Sequence, residues 1–263
     1  MPEGHTVHRT AKRFQKDFRS GPIAISSPQG RFTDAVMVSG QRLKKAEAWG
    51  KQLYLHFDEL AIRIHLGIYG KWRFENLNDD VPEPWGQVRA RFVSDSQLAD
   101  LRGPTACEVI SQEDVKLNQA KLGPDPLRPD RDGSEGQRFI QKLTSSKRPV
   151  GQLLMDQGVL AGVGNVYRAE LLFRNQLNPH QPGIQVGEEA AARIWQECRA
   201  LMPIGVRTGL MLTREGFLSG RPKLIDRYYV YKREGMPCRE CGTEISIELM
   251  AGRKLYWCPS CQK

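Results

Sequence analysis

The chain has 263 residues, of which 40% are hydrophobic and 26% charged, enough apolar material for one large domain or two of ordinary size. A formal net charge of +9 favours polyanionic partners. No apolar run approaches the length of a membrane span, and residues 1–20 carry Arg and Lys throughout with no apolar signal core, so the expected location is the cytoplasm with no membrane attachment.

In chain order, residues 3–19 place Val7, Ala11, Phe14 and Phe18 on one face, with His8, Arg9, Lys12, Arg13 and Lys16 largely elsewhere. That spacing predicts an amphipathic helix holding Pro2 and Glu3 against a folded body. Met1 precedes proline, a context in which it is removed, and Pro2 then becomes a free secondary amine. An α-amino group has a pKa near 8 against about 10.4 for lysine, so it is a ready nucleophile at neutral pH without a special pocket. His5 and His8 have no third ligand near them and are not read as a metal site.

From about residue 22 to 110 the signals are short and strand-like. Leu60, Ile62, Ile64 and Leu66 alternate with Ala61, Arg63 and His65, and Val88, Ala90 and Phe92 alternate with Gln87, Arg89 and Arg91. Pro28–Gly30, Ser39–Gly40 and Gly70 punctuate them, the pattern of a sandwich or barrel. The stretch GPDPLRPDRDGSEG, rich in Pro, Gly and charge, reads as a linker over 123–134. Beyond it the period becomes helical, with helices expected at 135–144, 149–158, 165–174 and 188–202. Within MDQGVLAGVGNVYRAELLF, Gly158, Gly162 and Gly164 make a tight turn between two helices. Asn165 is expected to cap the second, whose first N–H groups attract phosphate.

Cys238 and Cys241, then Cys258 and Cys261, form two C-x2-C pairs separated by sixteen residues. Each pair places two thiolates on one ion, and two pairs close a tetrahedral, structural zinc site. Arg253 sits in the turn between the pairs, where a metal-pinned hairpin would aim its guanidinium at a phosphate. Cys107 and Cys198 stand alone and read as buried thiols.

Three separated motifs agree in order. PEG at the start, AGVGNVYRAELL in the middle and GRKLYWCPSCQK at the end resemble the Fpg/Nei family of DNA glycosylase/AP lyases across nearly the whole chain. The PEG start is similar to its endonuclease VIII branch. The resemblance implies an α+β, two-domain fold: an N-terminal β-sandwich with a leading helix (1–122), the linker (123–134), a helix–two-turn–helix DNA-binding domain (135–227) and a C-terminal zinc finger (228–263). It further implies base excision repair in which oxidised pyrimidines are excised and abasic sites cleaved by β,δ-elimination through a Schiff base on the N-terminal proline. Damaged double- or single-stranded DNA would be the partner of a monomer.

Carried over by position, the resemblance makes Pro2 the nucleophile and Glu3 its acid/base partner. Lys51 matches a catalytic-site lysine that contacts DNA near the lesion. Asn165 and Arg253 match residues gripping flanking phosphates, and Gly67, Ile68 and Tyr69 match the loop that fills the gap left by an extruded base. The chain departs from the family at position 6, where Thr6 replaces an acidic residue. That departure keeps open a non-catalytic or AP-site-restricted damaged-DNA-binding protein. Gly67-Ile68-Tyr69 also matches half of the GIY-YIG nuclease motif, but no YIG follows at a suitable distance.

Overall fold

The computed structural model describes residues 2–78 and 80–263, so the expected removal of Met1 falls outside the described residues. The chain divides into two compact units, Met1–Lys121 and Leu122–Lys263.

The first unit opens with helix α1 (Gly4–Asp17). Its apolar stripe buries Val7, Ala11 and Phe14, and Phe18 follows just beyond the last turn. The strands are β1 (Ala24–Ser26), β2 (Lys45–Trp49), β3 (Gln52–His56), β4 (Leu60–His65), β5 (Lys71–Asn76), β6 (Val88–Val93), β7 (Gln97–Arg102) and β8 (Ala106–Ser111). They form two antiparallel four-stranded sheets, ordered β1-β6-β7-β5 and β2-β3-β4-β8. Leu53, Leu55, Ile62 and Ile64 of one sheet share a core with Ala90, Phe92, Ala99 and Leu101 of the other. Phe14 drives α1 into this core, its ring 5.0 Å from Trp72, 5.5 Å from Phe74 and 5.4 Å from Phe92. Truncating a buried ring of this kind costs about 3–5 kcal/mol, which makes α1 an integral wall of the sandwich.

Strand β4 follows the predicted alternation, yet Ala61 is as buried as Ile62. The reason is helix α2 (Gln112–Ala120), started by a Ser111–Asp114 capping box, whose Val115 packs on Ala61 and Tyr54. At one end of the sandwich two crossovers connect the sheets. The β4–β5 crossover is Leu66–Gly70, and the β7–β8 crossover returns beside it. Thr105 donates from its backbone N–H to the His65 carbonyl at 2.8 Å. Gly67 has φ +63°, and a Cβ there would lie 1.9 Å from Thr105 Oγ1, so only glycine lets the two crossovers approach this closely.

The second unit contains α3 (Ser134–Thr144), the single turn α4 (Val150–Leu153), α5 (Asn165–Arg174), the single turn α6 (Gly183–Val186) and α7 (Glu188–Thr208). Phe139, Leu153, Leu160, Leu171 and Ile194 belong to one core. The helix expected over 149–158 shrinks to α4. Polar side chains take over the backbone groups that would continue it: Asp156 accepts from Gly158 N–H at 2.9 Å, and Gln157 donates to the Met155 and Val163 carbonyls and accepts from Gly162 N–H, each at 3.0 Å. The segment read as a linker starts packed, with Gly123–Pro126 buried and Asp125 at 2% exposure. Gly123 N–H bonds to the Gln157 carbonyl and Ala161 N–H to that of Pro124, so its prolines shape a fitted strap.

The chain ends in the hairpin of β9 (Ser246–Met250) and β10 (Arg253–Trp257), closed by Ala251 (φ 52°) and Gly252 (φ 69°). Two successive positive φ values make this the tight two-residue turn whose twist matches the strands. The hairpin does not stand alone: Val230, Ile245 and Tyr256 share a core with Ala169 and Phe173 of α5.

Candidate active site, nucleic-acid interface and metal centre

Pro2 is half-buried at the foot of α1, and Glu3, immediately before the first helical turn, is wholly buried. The Glu3 carbonyl accepts from Thr6 N–H at 2.9 Å, which fixes the entry of the chain into the helix. Pro2 faces a groove whose walls include Thr6, Ile68, Trp72 and Phe74. Thr6 hydrogen-bonds through Oγ1 to His5 Nε2 at 3.2 Å. Burial above all, with nearby positive charge adding to it, pushes the His5 pKa down to about 4, so its ring is neutral at pH 7. His5 and Thr6 are therefore both uncharged.

Lys51 lies in the turn between β2 and β3, and its carbonyl is hydrogen-bonded to His65 Nδ1 at 3.2 Å. His65 ends β4, two residues before Gly67, so the Lys51 turn and the 67–69 tip sit at the same end of the sandwich. Ile68 is 43% exposed and Tyr69 78% exposed, which separates them from the core strands on either side. The first unit thus brings Pro2, Glu3, Lys51 and the tip to one end.

The second unit brings Asn165 and Arg253 together, by a route the sequence did not reveal. Gly164 is the N-cap of α5 and Asn165 the first helical residue, with no side-chain cap. The expected capping role is replaced by a bond across the unit: Asn165 Nδ2 donates to the Lys254 carbonyl at 2.8 Å, and Asn165 Oδ1 accepts from Arg168. Asn165 is only 4% exposed as a result, and it braces the strand whose first residue is Arg253. Arg253 is half-buried at the hairpin turn, with Nη1 donating to the Gly252 carbonyl at 3.0 Å.

Two residues inside the YRAELL motif were missed as individuals. Arg168, fully buried, donates to the Met250 carbonyl at 3.1 Å and to the Lys254 carbonyl at 3.3 Å. Glu170, also fully buried, accepts from the backbone N–H groups of Tyr229, Val230 and Tyr231 and from the Thr213 hydroxyl. Burial pushes its carboxyl up, against the pull of these donors. The sequence signal is two charges on opposite sides of a largely apolar helix, which must be partnered inside the fold once the helix is buried.

The Sγ atoms of Cys238, Cys241, Cys258 and Cys261 all lie within 4.8 Å of one another, with Cys241–Cys258 at 3.5 Å and Cys238–Cys261 at 3.9 Å. A tetrahedral zinc with bonds of about 2.3 Å needs sulfurs roughly 3.8 Å apart, so the thiols fit. They hold one structural zinc ion with no open position for substrate. Cys107 and Cys198 are both buried, and burial pushes the Cys107 thiol up to about 12 and that of Cys198 up as well.

Family models match along the chain: the formamidopyrimidine-DNA glycosylase N-terminal domain over residues 1–107, the formamidopyrimidine-DNA glycosylase H2TH domain over 122–215, and the zinc finger found in FPG and IleRS over 235–263. "Endonuclease 8 1" of Mycobacterium tuberculosis is 46% identical over 270 residues, with all of both chains covered. The formamidopyrimidine-DNA glycosylase of Heliobacterium modesticaldum is 30% identical, covering 100% of this chain and 99% of its own. Among solved structures, the MutM (Fpg) protein of Thermus thermophilus superposes with a TM-score of 0.79 at 28% identity, covering 99% of this chain and 98% of that one. Lactococcus lactis Fpg in complex with abasic-site DNA has a TM-score of 0.81 at 23% identity over 99% of each chain, a likeness of fold.

Proposed function

Because the chain belongs to the Fpg/Nei family, with an "Endonuclease 8 1" relative at 46% identity over its whole length, we propose that it is a bifunctional DNA glycosylase/AP lyase of base excision repair that acts on oxidised pyrimidines. The observation that carries this reading is the placement of Pro2: held by a core helix, on the wall of a groove shared with Ile68, next to the wholly buried Glu3. With Met1 removed, the Pro2 nitrogen attacks deoxyribose C1′ as the bond to the damaged base breaks and the base leaves with a proton. Glu3 protonates the ring oxygen as the sugar opens, giving an iminium ion. A secondary amine leaves that adduct no N–H to lose, so it stays cationic and acidifies the C2′ protons. Loss of one of these expels the 3′ phosphate, loss of the C4′ proton expels the 5′ phosphate, and water releases Pro2.

Lys51 would contact the DNA backbone beside this sugar, Asn165 and Arg253 the flanking phosphates, and Ile68 with Tyr69 the vacated stack. Extruding a nucleotide costs a few kcal/mol, which an exposed aliphatic and aromatic pair would offset in part. The partner is damaged DNA, double- or single-stranded, met by a monomer in the cytoplasm. No helix among the described residues is long and apolar enough to cross a membrane.

Borohydride trapping on duplexes carrying an abasic site or an oxidised pyrimidine tests the reading. A covalent adduct is expected from protein whose N-terminus is shown by mass spectrometry to be Pro2, and none when Met1 is retained, since the proline nitrogen is then an amide. Absence of an adduct from processed protein would overturn the lyase. A narrower activity restricted to abasic sites is favoured by one observation, the neutral His5–Thr6 pair where a carboxylate is usual. Adducts on abasic DNA with no base released from oxidised pyrimidines would establish it.

A further inference from the structure

Residues 82–85, ahead of β6, are tied to the outer face of their sheet at two points. Arg91 on β6 pairs with Asp100 on β7 through two bonds of 2.8 Å and also donates to the Pro82 carbonyl, with both members of the pair buried. At the segment's far end the Trp85 ring carries the Arg102 guanidinium 4.7 Å from its centroid. A tryptophan serving only to clamp a loop would bury its ring, but Trp85 is 68% exposed.

Its position is informative. Arg102 is the last residue of β7 and stands directly opposite Lys71 on β5, so the two cations project from the same face at the same sheet end. Gly103 follows, and a Cβ on it would sit 3.4 Å from the Tyr69 carbonyl. Trp85 thus carries Arg102, the chain neighbour Gly103 lies beside Tyr69, and Ile68, next to Tyr69, lines the groove of Pro2. Exposed aromatic faces combined with cations are what unpaired bases and their phosphates bind, since every base offers a π face whatever its sequence.

We propose that Trp85, with Arg102 stacked on it, is a platform for an unpaired nucleobase of the DNA held at the Pro2 site. The inference rests on the glycosylase/lyase reading for the DNA, but not on its chemistry. The base has two sources: the one left without a partner opposite the lesion, or one flanking the lesion in a single strand.

The test compares wild type with Trp85→Ala, Trp85→Leu and Trp85→Phe for binding to four DNAs. These are a duplex with a stable abasic analogue opposite a normal base, the same duplex with the opposite base also removed, an undamaged single strand, and an undamaged duplex. Stacking predicts that Ala and Leu weaken binding roughly 5- to 150-fold while Phe retains most of it. A penalty that vanishes when the opposite base is removed assigns the orphan base, and one that persists on single strands assigns a flanking base. The undamaged duplex, with no unpaired base, should show no penalty. Equal affinities for all four proteins on every DNA would overturn the platform. So would a loss that tracks a lowered melting temperature and is as large for Phe as for Ala, since Trp85 would then only pin its loop. Trapping by wild type is scored separately: a chain that binds through Trp85 but forms no adduct sinks the lyase and leaves the platform.

Discussion

The guanidinium of Arg168, wholly buried, donates to the carbonyl of Met250 at 3.1 Å, so helix α5 holds the finger hairpin at the residue that leads into its turn. A second bond to the Lys254 carbonyl, which Asn165 also supplies, secures the far side of that turn. Arg253 is thus positioned from two directions, by zinc along the hairpin and by α5 across it.

Replacing Arg168 with methionine keeps much of the volume and removes every donor. Two carbonyls and Asn165 Oδ1 lose a charged partner, for an expected cost of about 2–4 kcal/mol in urea unfolding. Zinc content should remain one ion per chain while affinity for DNA falls. Unchanged stability would mean that the finger is held by its metal and apolar core alone.

His5 gives the fold a dependence on pH. Its folded pKa of about 4 lies below the ordinary 6.5, so the native state resists a proton that the unfolded chain accepts. Stability is complete above about pH 6.5, falls as pH drops toward 4, and loses on the order of 3 kcal/mol from this group across that window. Denaturant titrations from pH 7 to 4 should show a shallower decline for His5→Gln than for wild type. Parallel curves would locate the acid sensitivity elsewhere.

Lys51 and Arg253 lie in different units, so their contributions to DNA binding separate cleanly. If each neutralises one phosphate, Lys51→Ala and Arg253→Ala should each reduce the slope of log affinity against log salt by about one. Slopes that match wild type in both variants would place them away from the DNA backbone.

Gly67→Ala adds a methyl group at φ +63°, against Thr105. The backbone conformation alone costs about 1–2 kcal/mol, and the contact adds to it. Combining it with Thr105→Ala should recover the contact part and leave the backbone part, a double-mutant cycle with positive coupling. Purely additive costs would show that the two crossovers do not support each other.

Local periodicity made much of the fold legible. The apolar stripe of α1, the alternation in β4 and β6, and the spacing of the cysteines all have their meaning within a few residues of themselves. What was hidden depends on partners far along the chain. Asn165 reads as a cap because nothing near it announces Lys254, 89 positions away. The helix expected over 149–158 fails because Asp156 and Gln157 turn back on their own backbone, a choice that apolar spacing does not encode. The prolines after Gly123 signal a loose segment by composition, and only the bonds to Gln157 and Ala161 reveal a fitted one. The sequence proposes Pro2 and Glu3 as reagents, and nothing in it announces the burial of Glu3.

The contact between Gly67 and Thr105 has an evolutionary side. It holds the tip through backbone and glycine, leaving Ile68 and Tyr69 with little to do for stability; exposed positions of this kind usually change by within about 0.5 kcal/mol on substitution. Residues 68 and 69 can therefore vary while the frame beneath them stays still. If they are the wedge of the proposed function, a lineage could retune its lesion range here without first having to restabilise its fold.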